Sequence, residues 1–129
     1  MSQEKINQVL ADEAKKGNRV VRLKGGDPFL FGRGGEELEL LTKEGIPYEI
    51  VPGVTSPISV PAYNGIPVTH RDFCSSVHVI TGHKRKGMEY DIDFGALVHT
   101  KGTLVFLMGI TAMEDICNGL MKAGMEPDM

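Results

Sequence analysis

The run Val20-Val21-Arg22-Leu23-Lys24-Gly25-Gly26-Asp27-Pro28-Phe29-Leu30-Phe31-Gly32-Arg33-Gly34-Gly35-Glu36-Glu37 decides the fold of this chain. Val20 to Leu23 predict a buried strand, Gly25-Gly26 a turn at its exit, and Gly34-Gly35 the entry to a helix. Strand C-terminal ends are where open α/β sheets place ligands, because the backbone turns away there and leaves a crevice. Glycine lets that backbone approach a ligand closely and take positive φ without a Cβ clash. Asp27, inside the turn, can accept hydrogen bonds from a hydroxyl or an ammonium group. In outline the segment is a small-molecule site.

Upstream of this run, Ser2 is a helix N-cap, and Ile6, Val9, Leu10 and Ala14 recur at three- and four-residue spacing until Gly17-Asn18 stops the helix. Downstream, a second helix spans Glu36 to Glu44 with an acidic start that suits the helix dipole, and Gly45 ends it. Ile46-Pro47 then turn the chain into a strand over Tyr48 to Val51. Helix, strand, helix, strand in this order implies a parallel sheet with crossover helices. Thr55 to Ala62 predict a short helix kinked or confined by Pro57 and Pro61. Asn64-Gly65 and Pro67 make a turn-rich connection, which sets the expected division into residues 1–68 and 69–129. The second half restarts with a β-run over Val77 to Thr81, a charged loop, a strand over Thr103 to Met108, and a helix carrying Ala112, Ile116 and Leu120 that Gly124 closes. The first helix has no strand before it, and the last segment reads as a lead into a further strand. Both features predict a piece of a larger α/β protein.

Composition narrows the function classes. With 129 residues the chain can bury a real core. A net charge of −3 argues against nucleic acid as a bulk electrostatic partner. No apolar run approaches the ~18 residues of a membrane span, and the polar start Met1-Ser2-Gln3-Glu4-Lys5 has no signal-peptide core. Cys74 and Cys117 read as reduced, inert thiols, which with the missing signal predicts a cytoplasmic protein.

The remaining motifs each have a bland alternative. Gly32-Arg33-Gly34-Gly35 lacks the dinucleotide spacing, and no glycine-lysine-Ser/Thr phosphate loop follows it. Pro52-Gly53-Val54-Thr55-Ser56 is a second strand exit, whose Thr55 and Ser56 either cap a helix or line the same crevice as Gly25 to Asp27. Arg71 either pairs with Asp72 on the surface or grips a ligand carboxylate bidentately. The loop His83-Lys84-Arg85-Lys86-Gly87 is a solvated strand exit that would also suit a polyanionic small molecule. His70, His78, His83 and His99 show no metal-ligand spacing, so no metal is expected, and Ser75 and Ser76 lack a nucleophile-elbow context.

Together these stretches, with Ala62 to Arg71, Thr81-Gly82-His83 and Leu104 to Gly109, resemble the tetrapyrrole methylase family, the class III S-adenosylmethionine-dependent methyltransferases. The resemblance covers nearly the whole chain and is most specific in the opening run, which points to the branch acting on uroporphyrinogen III. It implies a tetrapyrrole methylase-like α/β fold: two α/β half-domains with a ligand cleft between them, here truncated at both ends. It implies a homodimer or other homo-oligomer, S-adenosyl-L-methionine as methyl donor, and C-methylation of a tetrapyrrole to precorrin-2 on the way to sirohaem and cobalamin. Carried over by motif, Gly25, Gly26 and Asp27 would hold the methionine and ribose portions of the donor. Leu30 would be an apolar contact, Thr55 and Ser56 the second exit, and Met108 the contact near the adenine. Charge alone suggests Arg71 and His83 for substrate carboxylates. The family's acidic and lysine residues assigned to catalysis have no counterpart here, so no catalytic residue is assigned. Pro57 departs from the small alanine common at its position. Two alternatives stand beside this reading: a sister methylase of a later corrin precursor, and a non-catalytic binding or assembly module.

Overall fold

The computed structural model describes residues 1–83 and 92–129, and Lys84, Arg85, Lys86 and Gly87 of the charged loop lie outside the described residues. The chain divides into two compact units, Met1–Ser56 and Pro57–Met129.

In the first unit, α1 (Gln3–Lys15) begins where the Ser2 hydroxyl accepts the Lys5 N–H at 3.3 Å, and α2 spans Gly34–Lys43. The two helices lie side by side in the same direction. At their starts the Gln3 amide donates to Glu37 at 3.0 Å and the Asn7 amide to the Glu36 carbonyl at 3.0 Å; at their ends Lys15 pairs with Glu44 at 2.6 Å. Parallel helices require the chain to run back along them, and residues 18–24 do this without a bend or turn. The strands expected over Val20–Leu23 and Tyr48–Val51 are not formed as sheet. Both stretches run unbent, but among the described residues neither has a ladder partner. The expected burial fails as well, since Val21, Leu23 and Val51 are exposed; a strand needs a neighbour, and that lies outside what the apolar pattern encodes.

Helix α2 starts at Gly34, two residues before the expected Glu36. The Gly34 N–H donates to the Pro28 carbonyl at 2.9 Å, so the loop from Pro28 closes on itself and the helix begins at once. Arg33 takes the N-cap place at φ 60° and reaches forward to grip Glu36 with two nitrogens, at 2.8 and 2.6 Å.

The second unit opens within α3 (Ser56–Tyr63), whose Pro57 is fully buried. Pro57 costs little in the first turn, where its N–H would have had no partner, and Pro61 sits inside a helix too short to need many interior bonds. Strands β1 (Val77–Thr81) and β2 (Thr103–Leu107) pair in parallel, in register from Val77↔Thr103 to Thr81↔Leu107. Their connection carries α4 (Phe94–His99), and α5 (Met113–Lys122) follows a short 3-10 turn over Ile110–Ala112. The sequence reading missed α4, because six residues are too few to show helical periodicity. Its local signal is the Asp93 carboxylate, which accepts the Ala96 N–H at 2.8 Å as an N-cap. Ala112 and Ile116 are buried, and the Phe94 ring lies directly over Gly119, where a side chain would displace it.

Helices α1, α2, α3 and α5 end alike. A glycine at positive φ (Gly17, Gly45, Gly65, Gly124) lets its own N–H and the next one reach back to the last-turn carbonyls. At α2, for instance, Gly45 donates to Thr42 at 3.1 Å and Ile46 to Leu41 at 2.9 Å.

Candidate functional site

The first unit builds its exit around Asp27. One carboxylate oxygen accepts the Phe29 N–H at 2.8 Å, and the other accepts the Gly53 N–H at 3.0 Å, from the second predicted exit. Hydrogen bonds from the Gly53, Phe29 and Leu30 backbones hold the Asp27 carboxyl below its ordinary range, so it is ionised at neutral pH. Gly53 fits only as glycine, since a Cβ there would run into the Gly26 carbonyl. Gly26 takes φ +73°, and a Cβ on it would stand 3.7 Å from the Thr55 hydroxyl. Gly25, Gly26, Asp27, Gly53 and Thr55 thus come together, with Leu30 half-buried in the same loop and Ser56 exposed at the start of α3.

In the second unit, Met108 and His83 follow β2 and β1 at the C-terminal end of the parallel pair. The two exits meet glycine to glycine: Gly82 donates to the Leu107 carbonyl at 2.7 Å, and a Cβ on Gly82 would stand 2.6 Å from the Gly109 Cα. Met108 is exposed at φ 56° and helps line an apolar groove with Phe106, Ile110, Met113 and Ile116. The His83 ring is exposed, and its backbone N–H donates to the Thr81 hydroxyl at 3.3 Å. Arg71 lies exposed in a tight turn closed by His70 and Cys74, which exchange backbone hydrogen bonds at 3.0 and 2.9 Å. Among the described residues it forms no ion pair with Asp72.

Two features escaped the sequence reading. The first is Glu37, 5% exposed, which receives Lys24 at 2.9 Å, Arg22 at 3.1 Å and Gln3 at 3.0 Å. Burial pushes its carboxyl up, but the hydrogen bonds from Lys24, Gln3 and Arg22 outweigh that and leave it below its ordinary value. Arg22 and Lys24 are therefore anchors that fix the chain entering Gly25. Their alternation with Val21 and Leu23 was the available signal. The second is left-handed backbone at Phe31 (φ 55°), Arg33 (φ 60°) and Met108, non-glycine residues inside the exit loops. Such strain concentrates where a loop is held for a purpose.

Glycine-built exits, one holding an ionised aspartate and the other an apolar methionine, are the kind of arrangement with which α/β proteins take small molecules at strand ends. Comparison makes the class specific. The family model described as Tetrapyrrole (Corrin/Porphyrin) Methylases matches residues 1–129, and the chain belongs to that family. It is 57% identical over 129 residues to the porphyrin biosynthesis protein HemD of Ruminiclostridium josui, covering all of this chain and 26% of that protein. It is 54% identical over 127 residues to a siroheme synthase of Enterobacter sp. (strain 638), covering 98% and 27%. Among solved structures, the uroporphyrin-III C-methyl transferase of Thermus thermophilus complexed with S-adenyl homocysteine matches with a TM-score of 0.78 at 38% identity, over 97% of this chain and 54% of that one. A cobalt precorrin-4 methyltransferase matches with a TM-score of 0.83 at 28% identity, over 96% and 52%. The chain thus spans about a quarter of the curated relatives' length and about half of the solved ones.

Proposed function

We propose that this chain contributes the S-adenosylmethionine-binding exits of a cytoplasmic uroporphyrinogen-III C-methyltransferase, the enzyme that makes precorrin-2. The observation that carries this reading is the Asp27 clamp, in a chain 38% identical to a transferase solved with S-adenosylhomocysteine. Bound S-adenosylmethionine supplies an electrophilic methyl group. The residues of this chain bind and orient. Gly25 and Gly26 let backbone come close to the ligand, and Asp27 places a fixed negative charge where a cationic ligand gains from it. Thr55 and Ser56 offer hydroxyls from the second exit, while Leu30 and Met108 offer apolar surface. Arg71 and His83 are suited to substrate carboxylates. Methyl transfer to a carbon depends on in-line alignment more than on strong acid–base groups, which fits a site built from glycines and one clamped carboxylate. The domain division that goes with this reading is 1–68 and 69–129.

The sister reading, a corrin-precursor methylase, draws on the cobalt precorrin-4 enzyme, whose higher TM-score speaks to backbone shape; the identities, 38% against 28%, favour the uroporphyrinogen III branch. Titration of the chain with S-adenosylhomocysteine, followed by amide NMR, tests the proposal. Saturable shifts at Gly25–Asp27 and Gly53–Ser56 are expected, and unchanged spectra at millimolar ligand would reject it.

A further inference from the structure

The glycine pair of the first exit is gripped on both flanks, and both grips come from the first turn of α2. Downstream of the pair, the Pro28 carbonyl accepts the Gly34 N–H at 2.9 Å. Upstream, the Lys24 ammonium donates to one Glu37 oxygen at 2.9 Å, and the Arg22 side chain donates to the other at 3.1 Å. Gly34 and Glu37 lie about one helical turn apart, so the start of α2 holds the chain on either side of Gly25-Gly26-Asp27. Packing of α1 on α2 does not depend on Glu37 alone, because Asn7 with Glu36 and Lys15 with Glu44 also join the two helices. A buried position serving only that packing would be filled as well by an apolar residue, whereas a carboxylate there carries a desolvation cost.

We infer that Glu37 is a positioning residue for the methyl donor: through Lys24 it sets the shape of the Gly25-Gly26-Asp27 turn that receives the donor. This rests on the reading of that turn as an S-adenosylmethionine site. Glu37 itself is 5% exposed, too enclosed to meet a ligand, so it acts through Lys24. Glycine loses more conformational freedom on being fixed than any other residue. A free Gly25-Gly26 would lose that entropy at the moment of binding and bind weakly, whereas a turn shaped beforehand loses little. Packing does not shape it at Gly25, since nothing lies within 4 Å of a Cβ built there. Beyond the pair, Asp27 is tied to Gly53; before it, the bond from Lys24 to Glu37 is the nearest side-chain hold among the described residues.

The test titrates S-adenosylhomocysteine into the 129-residue chain and its variants by calorimetry, with the urea midpoint of each measured alongside. Lys24→Met keeps the stem and removes the ammonium, leaving Glu37 with Arg22 and Gln3; Glu37→Gln keeps the shape and removes the charge. Each should weaken binding by about tenfold, the loss of a shaped turn. The double variant should bind no more weakly than either single one, because both break the same contact. Lys24→Arg keeps a cation and should stay within about threefold of the parent. Gln3→Met removes a bond to the same carboxylate on the side of α1, and should leave affinity within about twofold even where its midpoint falls. That control separates positioning from stability, since a purely structural Glu37 would make affinity follow the midpoint across all the variants. Nitrogen-15 relaxation without ligand adds a readout that binding does not enter. Order parameters at Gly25 and Gly26 should be near ~0.85 in the parent and fall below ~0.6 in Lys24→Met and Glu37→Gln. Equal affinity in the parent and Lys24→Met, or unchanged order parameters, overturns the inference and leaves the donor site standing. A parent chain that fails to bind at millimolar ligand rejects the donor site itself, and the inference with it.

Discussion

Asp27 and Gly53 stand 26 residues apart and are joined by a single 3.0 Å hydrogen bond from the Gly53 N–H to the Asp27 carboxylate. The bond ties the two exit loops of the first unit together, so Asp27 has a positioning task as well as the ligand-facing one expected from sequence. Asp27→Ala should therefore change both exits. S-adenosylhomocysteine affinity should fall by on the order of tenfold or more, as expected when a charged hydrogen-bonding group is lost. The amides of Gly53 and Thr55 should shift even without ligand, and calorimetry together with NMR reads both effects. A variant that loses affinity with Gly53 unmoved would make Asp27 a ligand contact alone. The folded carboxyl lies below its ordinary value, so the clamp's contribution is complete above the ordinary range and fades as pH falls through the lowered value.

Gly53→Ala probes the same junction from its other side. The donor survives, but the new Cβ meets the Gly26 carbonyl, which is backbone and cannot rotate aside. Either the loops separate and the Asp27 bond lengthens, or the chain bears the overlap, at a cost of roughly 1–3 kcal/mol. The urea midpoint of the first unit should drop accordingly with little change in slope. A midpoint equal to that of the parent chain would show that the two loops are not in fixed contact.

Glu37 makes a prediction about pH. Its carboxylate is nearly buried and holds Lys24, whose side chain is 11% exposed. Glu37→Ala would leave that ammonium without its partner and should cost about 2 kcal/mol, while Glu37→Gln, which keeps the shape and some of the bonds, should cost less. The folded pKa is depressed, so the stabilisation is present above the ordinary glutamate range and is lost as pH falls through the depressed value. Acid unfolding followed by circular dichroism should show the parent losing stability in that window, and Glu37→Gln should flatten the dependence there.

The contrast between Glu37 and the glycines shows what the sequence could carry. Helix ends were legible because one residue type settles them: Gly17, Gly45 and Gly124 adopt the positive φ that closes a helix. The exit motif was legible for the same reason, since Gly26 and Gly53 serve by having no side chain. Glu37 was read as one more acid at a helix start because its partners, Gln3, Arg22 and Lys24, come from three separate places in the chain. The stretches Val20–Leu23 and Tyr48–Val51 show the complementary limit. A short apolar run suggests a strand but not whether anything lies beside it, and pairing is a property of two segments. Helix α4 was hidden for a simpler reason, its six residues.

The second unit has its own junction of this kind at Gly82. Its N–H donates to the Leu107 carbonyl at 2.7 Å, which fixes it against β2, and a Cβ there would lie 2.6 Å from the Gly109 Cα and 3.1 Å from the Ile116 Cδ1. The isoleucine end could move, but the glycine backbone could not without breaking the bond that holds the exits together. Gly82→Ala should thus destabilise the unit by about 2 kcal/mol, within the usual cost of overpacking. Hydrogen exchange should quicken most at Ile80 and Thr81, beside the forced separation. Gly35→Ala is the control: nothing lies within 4 Å of its would-be Cβ, so this helical position of α2 should be neutral or gain up to about 1 kcal/mol. If Gly82→Ala matched that control, the two exits would not meet as closely as their glycines allow, and His83 and Met108 would lose the shared anchor that sets them at one end of the sheet.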